Sequence, residues 1–157
     1  MVDGGYARSM INPMQLSGKR ILVTGGSSGI GRETAIHLSR LGANVVLLAR
    51  DEKKLEDSYN KLDNGAHQYI SYDVSNINGI KDLLDKICKD NIKLDGYVHS
   101  AGVNQPSPVQ TLKYDDLHKT MLVNFYSFIE FSRILSKKKY NNMGCSIVGI
   151  SSVSSKV

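Results

Sequence analysis

A short apolar run, Arg20-Ile-Leu-Val-Thr24, passes directly into Gly25-Gly26-Ser27-Ser28-Gly29-Ile30-Gly31 and then into a helical pattern that places Ile30, Thr34, Ala35, Leu38 and Leu41 on one face. This junction constrains the fold more than any other feature. An apolar run bounded by turn residues predicts a buried strand, and glycines allow a turn tight enough to send the chain straight back as a helix. Gly42 stops that helix, because glycine accepts the left-handed position beyond a C-terminus. The alternation then continues. Asn44–Ala49 predicts a second strand, Asp51 caps a charged helix with Leu55, Tyr59 and Leu62 on its apolar face, and residues 68–72 predict a third strand. Ile80, Leu83, Leu84 and Ile87 mark another helix at spacings of three and four. Leu94–His99 predicts a fourth strand. A loop holding Pro106 and Pro108 leads to a long helix over roughly 114–138, and residues 146–151 predict a fifth strand.

Apolar strands alternating with helices imply a parallel sheet covered on both faces, and right-handed crossovers make it doubly wound. The expected fold is α/β, a three-layer Rossmann-type sheet with strands in the order 3-2-1-4-5, incomplete on its C-terminal side. Residues 1–13 are expected to be a short tail and residues 14–157 the nucleotide-binding domain. In such sheets a ligand sits at the carboxyl ends of the strands beside the first one, so the chemistry is expected just after Thr24, Ala49, Tyr72, His99 and Ser151.

Composition narrows the partners. The chain has 157 residues, 41% hydrophobic and 22% charged, enough for one domain with its own core. No apolar run has the length that spans a bilayer, and residues 1–10 lack the apolar stretch of a signal peptide, so no membrane partner is expected. Cys88 and Cys145 form no CxxC pair, which points to a reducing cytoplasm and away from a zinc site. The net charge is +5, but the basic residues are scattered apart from Lys137 to Lys139. That run lies at the end of a predicted helix, where cations suit the dipole. An anionic cofactor therefore fits the charge better than nucleic acid does.

The glycine turn points to the same partner. A helix N-terminus offers unpaired N–H groups and positive potential to phosphates. Gly26 to Gly31 has the spacing of a P-loop, but Arg32 and Glu33 replace the lysine and the metal-binding hydroxyl. The GxGxxG pattern is absent as well. Thr24-Gly25 followed by Gly29-Ile30-Gly31 has the spacing TGxxxGxG and resembles the short-chain dehydrogenases/reductases. The resemblance implies cofactor contacts from Gly25, Ser27, Ser28, Gly29, Ile30 and Gly31. An acidic residue ending the second strand would hold the ribose 2′-hydroxyl of NAD. Ala49 stands there instead, and Arg50 offers a planar fork of donors to a 2′-phosphate, so NADP(H) is the expected cofactor. The alternative is an Arg50 engaged with a neighbouring acid such as Asp51. The resemblance also implies that Asp73 contacts the adenine amino group and that Val74 packs on the ring. Taken alone, Asp73-Val74-Ser75 reads as a capping turn. Ala101 and Gly102 match the end of the family's Asn-Asn-Ala-Gly and are expected close to the cofactor, whereas His99 and Ser100 depart from that pattern.

The family's reaction moves hydride between nicotinamide and a carbon of a small-molecule carbonyl or alcohol substrate, commonly in a homo-oligomer. Its proton transfer is general acid–base chemistry by a tyrosine whose pKa a lysine four residues later lowers. By resemblance Asn124 matches the family's water-ordering asparagine and Ser152 the serine that binds the substrate oxygen, with Ser151 the near alternative. None of the eight tyrosines is followed four residues later by lysine. The chain alone is therefore expected to bind NADP(H) weakly and to turn nothing over, the Tyr-x-x-x-Lys pair lying beyond Val157. A non-catalytic dinucleotide-binding or interaction module is the alternative. The four histidines form no triad and no metal-ligand spacing. The fifth strand is expected to be an exposed sheet edge, and Leu122, Phe125 and Ile129 to lack cover, which favours association.

Overall fold

The computed structural model describes residues 13–104 and 108–152. The expectations for the N-terminal tail, for Pro106 and for Val153 fall outside the described residues, apart from Pro13. Five parallel strands form one sheet: β1 (Arg20–Thr24), β2 (Asn44–Ala49), β3 (Gln68–Ser71), β4 (Leu94–His99) and β5 (Asn141–Gly149). Their order is β3-β2-β1-β4-β5, as the alternation predicts. Helices α1 (Gly29–Arg40), α2 (Glu52–Tyr59), α3 (Ile80–Ile87), α4 (Tyr114–Met121) and α5 (Ser127–Leu135) make the crossovers.

The period-two geometry of a strand divides the core into two layers. Leu22, Val46 and Leu48 join Leu84, Phe131 and Leu135 on one face of the sheet. Ile21, Val23, Val45 and Leu47 join Ala35 and Leu55 on the other. Burial on both faces explains why Asn44–Ala49 reads as an almost unbroken apolar run rather than an alternating one. Register sets where the loops emerge: Thr24 aligns with Leu48 of β2 and with His99 of β4. The loops after β1, β2 and β4 therefore leave the sheet at one level.

The helix starts differ in a way that matters for function. Asp51 caps α2, its carboxylate accepting the Lys54 N–H at 3.1 Å. Ser28 begins α1 with extended backbone and no side-chain cap. The first bond within α1 runs from Arg32 N–H to Ser28 O at 3.2 Å, so the N–H groups of Gly29, Ile30 and Gly31 have no intrahelical acceptor.

Several boundaries differ from expectation. β3 ends at Ser71, although Tyr72 N–H still reaches Ala49 O at 2.8 Å. Ile30 is turned outward, 61% exposed. The long helix is interrupted by a π turn, Leu122–Tyr126, and ends at Leu135, so the lysine run lies past it. Lys139 pairs with Asp85 rather than with helix carbonyls. β5 starts five residues earlier than its apolar residues suggest, because polar Asn141 can still pair with Leu94. A register shift between Leu94 and Gly96 then restores the apolar pairing Tyr97↔Ile147 and Val98↔Val148.

Candidate active site

The aligned strand ends open into one cleft of about 1040 Å³. Its central wall is the glycine turn, with Gly25, Ser27, Ser28, Gly29 and Ile30 all on the surface. Gly31 stands apart from these. It does not line the cleft, and a Cβ there would meet Gly25 O at 2.3 Å. Gly25 has φ +69°, and a Cβ on it would meet Ser100 O at 2.6 Å. These two glycines let three backbone segments pack without side chains between them, and that packing sets the open N-terminus of α1 at the cleft.

One end of the cleft is formed by Ala49, Arg50, Asp51, Lys54, Asp73 and Val74. The Lys54 backbone N–H holds the Asp51 carboxyl below its ordinary pKa, helped by the Lys54 ammonium at 3.3 Å. Asp51 is thus taken by Lys54, and among the described residues no ion pair engages the exposed Arg50 guanidinium. Asp73 makes the capping turn, Oδ1 accepting Ser75 N–H at 2.9 Å. Val74 is buried beside it at 5% exposure.

The other end carries Ala101, Gly102, Asn124, Ser151 and Ser152. Asn124 sits in the π turn and clamps Val103, donating to its carbonyl at 2.9 Å and accepting its N–H at 2.8 Å. Ile150 N–H donates to His99 O at 2.9 Å and so directs the two serines into the cleft beside the Ser100 turn. Asn124 and both serines, far apart in sequence, therefore share one wall.

Sequence reasoning passed over a polar cluster below that wall. Thr24, Tyr97 and His99 are all buried at the carboxyl ends of β1 and β4. Tyr97 and His99 alternate on β4, and this spacing, beside a strand ending in threonine, is the signal that could have found them. Burial pushes the His99 pKa below 6.5 and the Tyr97 phenol well above its usual range. No cluster of three or more potential metal ligands occurs among the described residues.

An uncapped helix N-terminus fed by a glycine turn, at the centre of a parallel 3-2-1-4-5 sheet, defines a Rossmann-type dinucleotide-binding domain. The N–H groups left without intrahelical acceptors at the start of α1, beside the cleft, suit such a ligand's paired phosphates. The chain belongs to the short chain dehydrogenase family, whose profile matches residues 19–157. It is similar to a glucose 1-dehydrogenase of Gluconobacter oxydans, 36% identical over 113 residues, which cover 70% of this chain and 42% of that protein. It is also similar to a hydroxysteroid 11-beta-dehydrogenase 1-like protein of Gallus gallus, 35% identical over 158 residues, 97% of this chain and 54% of that one. The chain thus spans about half the length of these curated relatives. Among solved structures, a short-chain dehydrogenase/reductase variant from Serratia marcescens superposes with a TM-score of 0.83 at 26% identity, covering 90% of this chain and 58% of that one. The family consists of oxidoreductases that use a nicotinamide dinucleotide, bind small-molecule substrates and commonly form oligomers. Among the described residues no helix is long and apolar enough to cross a membrane.

Proposed function

We propose that this chain is the nucleotide-binding portion, residues 14–157, of an NADP(H)-dependent oxidoreductase acting on a small carbonyl or alcohol substrate. When bound, the dinucleotide supplies or accepts hydride at its nicotinamide ring. The observation that carries the cofactor preference is Ala49 followed by Arg50 at the cleft rim, with no carboxylate ending β2 and no ion pair engaging the guanidinium among the described residues. Arg50 binds the 2′-phosphate. Asp73 and Val74 hold the adenine, and the N–H groups at the start of α1, with Ser27 and Ser28, hold the pyrophosphate. Ala101 and Gly102 allow close approach near the ribose and nicotinamide.

Asn124 and Ser152 are assigned to substrate-end chemistry, Ser152 donating a hydrogen bond to the substrate oxygen and Asn124 ordering water. No proton-transfer step is assigned to any tyrosine in this sequence, since none has a lysine four residues on. The chain alone is therefore expected to bind cofactor without turnover. Exposed Phe125 and Ile129 on the helical side support a homo-oligomer, and the free thiols of Cys88 and Cys145 fit a reducing cytoplasm.

Calorimetric titration with NADPH and NADH tests the reading. A charged hydrogen bond contributes about 1.5–3 kcal/mol, so NADPH should bind about ten- to hundredfold tighter, and Arg50→Ala should erase the difference. Equal or tighter NADH binding by the wild-type chain overturns the assignment.

A further inference from the structure

The polar cluster under the cleft has an arrangement that packing alone does not require. Thr24 and His99 are register partners on adjacent strands, and His99 is 4% exposed. His99 Nδ1 lies 2.7 Å from Tyr97 OH and 3.1 Å from Thr24 Oγ1. Thr24 Oγ1 also accepts the Ala101 N–H at 3.4 Å. Two hydroxyls, each with a proton to give, converge on one ring nitrogen. With the proton of the neutral ring on Nε2, Nδ1 accepts from one of these hydroxyls. Nε2 is enclosed and makes no hydrogen bond among the described residues. The Val123 carbonyl of the π turn lies close to the ring and accepts Ser127 Oγ at 2.7 Å. The next residue is Asn124, pinned to Val103. Phe128 closes the pocket with its ring 5.5 Å from the imidazole. Among the described residues in contact with the ring, Tyr97 is the other titratable group, and Thr24, Val123 and Phe128 carry no charge. Burial keeps the ring neutral near pH 7.

We propose that His99 is a positioning residue for the substrate end of the cleft: locked as the Nε2–H tautomer, it braces the Ala101 turn on one side and the Asn124 turn on the other. This rests on the dinucleotide reading and refines it. The asparagine that the family usually has at this position would still offer an acceptor to Tyr97 and Thr24, but it is too short to fill the ring's space against Val123 and Phe128. His99 thus ties together two segments that asparagine would leave independent.

The split between two ligands tests the inference. NADPH occupies both ends of the cleft, whereas adenosine 2′,5′-bisphosphate occupies the Arg50 end alone and reports that the chain is folded. His99→Leu should weaken NADPH about tenfold, the equivalent of one hydrogen bond, and leave the bisphosphate within about twofold. His99→Asn should recover part of the loss, and Tyr97→Phe should show the same split as His99→Leu to a smaller degree. Ring-nitrogen NMR of the wild-type chain should find the proton on Nε2. Equal losses on both ligands, no loss on NADPH, or a proton on Nδ1 overturns the positioning role while leaving the dinucleotide reading intact. A wild-type chain that binds neither ligand overturns both.

Discussion

Strands β2 and β5 belong to the same parallel sheet but live in opposite environments. Four of the six residues of β2 are buried, and none of the nine in β5 is. Both contain runs of β-branched or aliphatic residues. Val45 and Leu47 are covered by helices on one side, and Val46 and Leu48 on the other. Ile147 and Val148, facing opposite sides of the sheet, remain 40% and 48% exposed, and Phe125 and Ile129 nearby are 48% and 46% exposed. An apolar run therefore encodes a strand and its partner, while its cover depends on what other segments reach it. The consequence is functional. The half of the sheet beside the glycine turn, around β1 and β2, has a closed core beneath it. The half that carries Asn124 and Ser152 has apolar surface that the described residues do not cover.

The largest expected effect tests the closed half. Leu47 is fully buried and lies directly under the glycine turn, where a Cβ on Gly26 would meet its Cδ2 at 2.6 Å. Leu47→Ala should cost about 2–5 kcal/mol in urea unfolding, and NADPH affinity should fall with it. A loss below 1 kcal/mol would break the comparison, because the closed half would then tolerate a cavity as well as the open one does.

Gly31→Ala comes next. The added methyl would press on Gly25 O, with no flexible side chain to yield. The cost should be about 1–3 kcal/mol, and NADPH binding should be lost, because the turn must move. Binding that survives unchanged would show that the turn has slack the distances do not suggest.

The contrast also shows what was legible beforehand. The alternation of elements and the Gly25 to Gly31 junction were enough for the strand order, since crossover handedness leaves few arrangements. The cleft residues were legible where chemistry and strand ends coincide, as at Arg50 and Ser152. Gly31 was read as a ligand contact, and the structure adds a second reason for glycine there, the close passage of the Gly25 backbone. The start of β5 was missed because Asn141 and Asn142 carry no apolar signal and pair only because β4 offers them an edge. The Thr24–Tyr97–His99 cluster was missed because its members are 75 and 73 residues apart across β1 and β4, and only register brings them together.

Acid titration sharpens the comparison from inside the sheet. His99 is buried neutral, with its pKa held below the ordinary 6.5. The unfolded chain takes up a proton near 6.5 that the folded chain refuses. This contribution to stability is complete above 6.5 and is lost progressively as pH falls below it, until the folded ring is itself protonated. One proton limits the slope to about 1.4 kcal/mol per pH unit. Unfolding free energies between pH 7 and pH 5 should fall more steeply for wild type than for His99→Asn. Parallel curves would place the ring in contact with water.

The smallest effect on stability belongs to the open half. Ile147→Thr and Val148→Thr keep a β-branched side chain, so strand propensity changes little, and each replaces apolar surface that is already partly in water. Each should cost roughly 1 kcal/mol or less, well short of Leu47→Ala. Association should respond where stability does not. Exposed apolar strand edges template contacts between chains, so the double variant should scatter less light than wild type at the same concentration. If either single variant unfolds the chain as readily as Leu47→Ala, β5 is covered in solution by something other than the described residues. If wild type is already a monodisperse monomer, the exposed residues do not drive association. Those two results separate a strand that is merely bare from one that acts as an interface.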